Sequence, residues 1–337
     1  MPTPKIYLDA HGGDHAPQSI IDGALLAQKS IQSEIILVGN QEEIAPLLKT
    51  KSATFQIAHA PEVIEMSDSP GKAVRKKPKS SIMECCRLTS LDRSHSACLS
   101  AGNSGAMMAA ALLILRRLPG ASRPAIAVLY PTIKSDDLLI LDMGANVDVK
   151  AENLVQFAQM GDLYMKLVLN RPHPRIAILS NGEEKSKGTE TTRFAYQTLE
   201  NMKELNFKGY AEGRDIFSGE LDVVVTDGFT GNIVLKATEG LAKAIISALK
   251  EEAQTSFSAK LGFFIASSPL KLLKKKTDYR ERGAAPLLGV DGMCFISHGS
   301  SDAYAISNAL KSIDQAITNH FYDSLSGKLN LATDENF

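Results

Sequence analysis

One unit recurs along the chain and limits the possible folds more than any other feature. A short β-branched or Leu-rich run ends in a loop of Gly, Asn, Ser and Asp, and a helical pattern follows. It occurs as KIYLDAHGGDHAP (5–17), SACLSAGNSG (96–105), LLILDMGANVD (138–148), LDVVVTDGFTGN (221–232) and CFISHGSSD (294–302). Runs apolar on both faces, alternating with amphipathic helices, predict a mostly parallel sheet covered on both sides, a doubly wound α/β/α sandwich. Helical spacing places Leu154, Phe157, Gly161, Tyr164 and Val168 on one face, as it does Leu241, Ile245 and Leu249, and Ile306, Leu310, Ile313 and Ile317. In such sheets ligands bind beyond the carboxyl ends of the strands, and the five loops are expected to converge on that one edge. The chain reads as one catalytic unit over residues 1–337, open to division into two lobes around a cleft, with a protruding apolar-basic helical segment at 256–283.

A glycine-rich loop at a helix N-terminus offers unpaired backbone N–H groups with the positive end of the helix dipole behind them, and anions bind there. Ser100, Gly102, Asn103, Ser104 and Gly105 make one such loop, and Gly228, Thr230, Gly231 and Asn232 another. A single loop of this kind is more often an ordinary βα turn with a capping residue; several in one chain shift the balance toward a site. The P-loop, G-x-G-x-x-G, G-x-S-x-G and H-E-x-x-H motifs are all missing, which argues for a small anion and against an acyl-serine intermediate. His15, flanked by Gly12, Gly13, Asp14 and Pro17, stands at the mouth of the first strand; Lys187 lies in a loop of mixed charge.

A formal net charge of −1 excludes a globally basic nucleic-acid binder, so electrostatic recognition must come from local patches. Segment 67–81 supplies one, with Lys72, Arg75, Lys76, Lys77 and Lys79. Segment 256–283 joins Leu261, Phe263, Phe264, Leu272 and Leu273 to Lys274, Lys275, Lys276, Arg280 and Arg282. A basic amphipathic stretch of this kind lies in the headgroup region of an anionic membrane, each cation adding about 1 kcal/mol; the alternative is a helical hairpin packed across a dimer. The N-terminus shows no signal-peptide pattern, and the longest apolar stretch, 106–115, is too short to span a bilayer, so a cytoplasmic protein is expected. Cys85, Cys86, Cys98 and Cys294 have no metal or disulfide spacing and read as reduced core thiols.

Taken together, LDAHGGDHAP, SAGNSGAMMAA, LDMGANVD with LVQFA, EGRDIFSGELDVVVTDGFTGNIVLK and ISHGSSDA resemble bacterial phosphate acyltransferases of the PlsX type, in that family's order, over residues 5 to about 315. The resemblance implies a homodimer that moves a long-chain acyl group from acyl carrier protein to orthophosphate, giving acyl phosphate for phospholipid synthesis, on a fold related to phosphotransacetylase and the isocitrate/isopropylmalate dehydrogenases. It implies no metal and no cofactor. It also implies peripheral attachment to the inner face of the membrane, with the downstream glycerol-3-phosphate acyltransferase as a further partner. His11 stands where the family pattern has Met, and Ser104 where it more often has Thr.

The mechanism expected is direct attack of a phosphate oxygen on the thioester carbonyl, with His15, Asn103, Lys187 and Asn232 as the catalytic set. Asp9, Gly12, Gly13, Asp14, Ser100, Gly102, Ser104, Gly105, Asp142, Asn146, Gly228, Thr230, Gly231 and His298 form the substrate- and phosphate-binding set. The acidic carrier is expected on a basic surface, at Arg75, Lys76, Lys77 and Lys79 or at 271–282. Three rival readings remain. One is a soluble phosphate acetyl- or butyryltransferase using coenzyme A. The second is a nicotinamide-dependent decarboxylating dehydrogenase, which needs a carboxylate cluster that Asp142, Asp148, Asp222 and Asp227 are too scattered to make. The third is a membrane-associated scaffold without activity.

Overall fold

A computed structural model describes residues 2–134, 136–253, 262–263, 266 and 279–335. The chain runs β1 (Lys5–Asp9), α1 (Gln18–Ala27), β2 (Glu34–Gly39), α2 (Gln41–Thr50), β3 (Gln56–His59), α3 (Pro70–Lys76), α4 (Ser81–Thr89), β4 (Ser96–Ser100) and α5 (Ser104–Ile114). It continues through β5 (Ala125–Ile126), β6 (Val128–Pro131), β7 (Asp137–Leu141), α6 (Ala151–Leu167), β8 (Arg175–Leu179), α7 (Glu190–Asn201), β9 (Asn206–Ala211), β10 (Val223–Val225) and α8 (Gly228–Glu252). It closes with β11 (Ala284–Leu288), β12 (Met293–Ser297), α9 (Ala303–Thr318) and α10 (Phe321–Glu335).

The α/β architecture is the one the sequence predicts, but the strands divide over two sheets. One has the order β3-β2-β1-β4-β12-β11-β5 and the other β6-β7-β10-β8-β9. Both are parallel apart from the pairings β11–β12, β11–β5 and β6–β7. Only Ala127 separates β5 from β6, and its N–H donates to the Pro286 carbonyl at 3.0 Å, so one extended run passes from sheet to sheet. Ile6 and Leu8 of β1 share a buried cluster with Leu139 and Leu141 of β7, while a second cluster under α4 and α5 and a third beside α8 line the opposite sheet faces.

Strand direction has a consequence for the loops. From β12 the pairing reverses at β11, again at β5, and again between β6 and β7. The parallel strands of the second sheet therefore run opposite to β1, β4 and β12 along the shared β5–β6 run. Arg282, just before β11, reaches Asp137 at the amino end of β7 at 2.5 Å, while Arg280 holds Asp302 just past the carboxyl end of β12 at 2.7 Å. The five glycine-rich loops thus do not converge on one edge, as the sequence pattern suggested; they form two rims.

The expected faces of α6 and α9 are buried: Leu154, Phe157, Tyr164 and Val168, and Ile306, Leu310, Ile313 and Ile317, are each at most 2% exposed. The face of α8 is not, since Leu241, Ile245 and Leu249 are 62%, 51% and 40% exposed. The helical period is correct there, but the helix projects beyond the second sheet and nothing in the protomer covers that face among the described residues. The four cysteines are buried free thiols, as expected. Of the segment 256–283, residues 262–263, 266 and 279–283 are described: Phe263 is half-buried, and Arg280 and Arg282 are held in the ion pairs to Asp302 and Asp137. Leu261, Phe264, Leu272, Leu273, Lys274, Lys275 and Lys276 lie outside the described residues.

α1 crosses α9 at Gly23, where a Cβ would stand 2.5 Å from the Ile306 Cβ. Replacing Gly23 by Ala should therefore overpack the crossing and cost about 1–3 kcal/mol. Chemical denaturation should show a lower midpoint at unchanged slope.

Candidate active site

The first rim is built around a buried carboxylate. Asp9 ends β1 and is 1% exposed. The Ser100 hydroxyl donates to its Oδ2 at 2.6 Å, the His11 N–H donates to Oδ1 at 3.1 Å, and the Gly102 N–H donates to the Ser100 hydroxyl at 3.0 Å. Gly12 is required by this approach: a Cβ would lie 2.6 Å from Asp9 Oδ2, 2.7 Å from Gly102 N and 2.8 Å from Ser100 Oγ. Gly13 turns at φ +108°, and the Asp14 N–H donates to the Gly299 carbonyl at 2.8 Å. Because β4 lies between β1 and β12, the loops 10–17, 101–105 and 298–302 meet at this rim.

Burial pushes the Asp9 carboxyl above its ordinary value of 3.8, opposed by hydrogen bonds from Ser100, Ser81 and the His11 N–H. Ser81, the first residue of α4, is a site residue that the sequence pattern did not reveal; it follows no glycine loop. A raised folded pKa means that the native state keeps a proton that the unfolded chain has released. That stabilisation is full below about pH 4 and is lost as pH rises through the raised value. Relative to Asp9→Asn, which cannot titrate there, the parent should lose stability across this window. Equilibrium unfolding of both proteins against pH checks it, and a constant difference would exclude the linkage.

Asn103 does not point its amide at a ligand. Its Oδ1 accepts from the Ala106 N–H at 3.0 Å, capping α5, and its Nδ2 donates to the carbonyls of Glu65 (3.3 Å), Met66 (3.1 Å) and Asp68 (2.9 Å). It therefore clamps segment 65–68 to the rim, its amide hydrogens engaged by those carbonyls. Ser104 is exposed at the first turn of α5, and Gly105 admits Pro70, whose Cγ would be 2.7 Å from a Cβ. Asn103→Asp keeps the cap but turns a carboxylate toward three carbonyls, which costs about 1–3 kcal/mol locally. Amides of Glu65 and Asp68 should then exchange ten- to a hundredfold faster, read by hydrogen exchange, while α5 amides stay protected.

His15 and Asp14 are exposed at the mouth of the rim. Across from them His298 Nδ1 accepts from the Ser300 N–H at 3.1 Å and lies 2.8 Å from the Ser300 hydroxyl, which leaves the neutral ring proton on Nε2. His11 is structural: its Nε2 accepts from the Asn40 N–H at 2.9 Å, beside Gly39.

The second rim repeats the device. Asp142, directly after β7, is fully buried, its Oδ1 accepting from the N–H groups of Ile126, Gly144 and Ala145, its Oδ2 from the N–H and side-chain amide of Asn146. Burial raises its pKa against the hydrogen bonds of Ala145, Asn146 and Ile126. Asn146 also donates to the Pro124 carbonyl at 2.6 Å, so both amide donors are spent. Gly228 and Gly231 pack on the Asp142 loop, where a Cβ would meet the Asn146 carbonyl at 2.5 Å and collide with the Asp142 carbonyl. Thr230 is held by Asp227, which accepts from its N–H and hydroxyl at 2.8 Å each. Asn232 and Lys187 are exposed, Lys187 on the loop after β8, next to β10.

Asp9, Asp142, Asn103 and Asn146 therefore organise loops rather than present polar atoms outward. Asp222 is bound to Arg175 at 2.7 Å and Asp227 caps α8, so neither joins Asp142 in the carboxylate cluster that a decarboxylating dehydrogenase requires.

Comparison with known proteins gives the family. The family model described as fatty acid synthesis protein matches residues 4–323. A phosphate acyltransferase of Pelotomaculum thermopropionicum is 47% identical over 327 residues, 96% of this chain and 95% of that one. One from Heliobacterium modesticaldum is 47% identical over 321 residues, 94% of this chain and 95% of that one. Among solved structures, a phosphotransacetylase from Streptococcus pyogenes aligns with TM-score 0.61 at 17% identity, covering 94% of both chains. The EutD phosphotransacetylase of Staphylococcus aureus aligns at 0.59 and 15%, again over 94% of both. These two share the fold. With the match over residues 4–323 and relatives near half identical along their whole length, the chain belongs to the phosphate acyltransferase family of fatty acid and phospholipid synthesis, and it is an acyltransferase.

Proposed function

We propose that the first rim binds orthophosphate beside the carbonyl of a long-chain acyl group borne on acyl carrier protein, and that the products are acyl phosphate and the free carrier thiol. The observation that carries the reading is the set of glycine backbones drawn together around Asp9 and Ser100, with the N-terminus of α5 and the exposed His15 at its mouth. Gly12, Gly13, Gly102, Ser104 and Gly105 bring main-chain groups and a hydroxyl to the rim without fixed charge, and Asp14 and His298 border it.

In the reaction, a phosphate oxygen bonds to the thioester carbon and the carbonyl electron pair moves onto oxygen. Collapse of this oxyanion breaks the C–S bond. His15 takes the phosphate proton as the new C–O bond forms and returns it to the leaving sulfur. Positioning and preorganised donors supply the acceleration, with no covalent enzyme intermediate.

Lys187 and Asn232, with Gly228, Thr230 and Gly231, belong to the second rim, so in this reading they complete a site only through a second copy. The uncovered α8 face, where Phe229, Ile233, Leu241, Ile245 and Leu249 are exposed, starts at that rim and supports a homodimer. The two sheets act as one catalytic unit. The apolar-basic composition of 256–283 supports attachment to an anionic membrane surface. There the product passes to glycerol-3-phosphate acyltransferase. Among the described residues no helix is long and apolar enough to cross a membrane.

A second reading, acetyl or butyryl transfer from coenzyme A, draws on the likeness to phosphotransacetylases. Incubation with palmitoyl-carrier protein and orthophosphate separates the two. Phosphate-dependent thiol release with hydroxamate-trappable product supports the first; turnover with acetyl-coenzyme A alone supports the second. His15→Ala should lower kcat by about a hundredfold, the usual contribution of a positioned acid–base group. A change of only a few-fold would remove His15 from the chemistry.

A further inference from the structure

We infer that the exposed cationic face formed by Lys72, Arg75, Lys76 and Lys79 is the docking surface for the acidic carrier protein that delivers the thioester. The inference rests on the proposed reaction but stands on its own geometry. The chain as a whole is balanced, with 37 Lys and Arg against 38 Asp and Glu, yet residues 67–81 hold Lys72, Arg75, Lys76, Lys77 and Lys79 against Asp68 alone. Lys77 is spent on structure, donating to Asp68 at 2.7 Å and to the Val63 carbonyl at 2.8 Å. Lys72, Arg75, Lys76 and Lys79 are exposed and form no ion pair among the described residues. Like charges three and four positions apart on a helix repel one another, and a partner of opposite sign relieves that repulsion.

Location ties the patch to catalysis. Asn103 clamps the carbonyls of Glu65, Met66 and Asp68, immediately before α3. Pro70 at the start of α3 packs on Gly105, and the methyl of Met66 would be 2.9 Å from a Cβ on Gly299. A protein seated on this face borders the first rim, where its tethered acyl group is needed. Met66, 49% exposed between patch and rim, adds an adaptable apolar contact. A lipid surface is the weaker fit, because α3 buries its apolar Ala73 and Val74 in the protein and offers charge without a wedge to insert.

The test uses the full chain and the triple substitution R75E/K76E/K79E, with an unchanged melting temperature as the folding control and the milder K72Q/K76Q as the second variant. Two quantities are read: affinity for unacylated carrier protein, and kcat/KM with acyl-carrier protein against acyl-pantetheine, a neutral donor with the same thioester arm. The triple variant should bind carrier at least tenfold more weakly. It should lose at least tenfold in kcat/KM with acyl-carrier protein, through KM, and stay within twofold with acyl-pantetheine. Parent affinity should fall steeply with salt. The assignment is overturned if carrier affinity is unchanged, if both donors lose activity equally, or if the variant loses binding to anionic vesicles while keeping its carrier affinity. A parent that binds carrier at this face yet transfers no acyl group would sink the proposed reaction and leave the docking surface standing.

Discussion

The rims depend on two carboxyl groups that never meet solvent. A buried carboxylate costs several kcal/mol unless its lone pairs are matched by donors, and here the donors are the loops themselves. Asp9 gathers the His11 N–H and the Ser100 hydroxyl, which in turn holds the Gly102 N–H; Asp142 gathers four backbone N–H groups and an amide. Each carboxylate can stay inside only if its loop folds back over the strand end, and that leaves a stiff rim of glycines with no fixed charge pointing outward.

The same device appears on two sheets because one extended run, β5 to β6, feeds both and the strand sense reverses across it. The helix leaving the second rim, α8, is 25 residues long and keeps an apolar face outside the protomer. A long exposed apolar stripe is unfavourable in water, which is the physical ground for the proposed homodimer.

Several polar residues that look alike in sequence take opposite duties in the fold. The amide of Asn103 and that of Asn232 each sit in a Gly-flanked loop at a helix start, yet the first is consumed by capping α5 and clamping segment 65–68, while the second is exposed. The deciding partners of Asn103 are carbonyls 35 to 38 residues away, and no local pattern announces them. Ser81 joins Asp9 for the same reason, through packing of α4 rather than through a loop motif. His11 became part of the α2 entrance, whereas His15, four residues on, stayed open.

By itself the sequence determined what short-range chemistry can determine. Apolar runs on both faces required buried parallel strands, glycines at the strand ends required close backbone turns, and the order of long motifs carried the family. The helical periods of α6, α8 and α9 were legible too, because spacing is a local property. Tertiary structure alone decided which of those faces found a partner, since α6 and α9 are buried and α8 is not. It also decided that the glycine loops make two rims instead of one, because strand sense depends on pairings between segments more than a hundred residues apart, such as β5 with β11. The choice between an amide that binds and an amide that braces was likewise made by packing, which brings together groups that the linear pattern keeps apart.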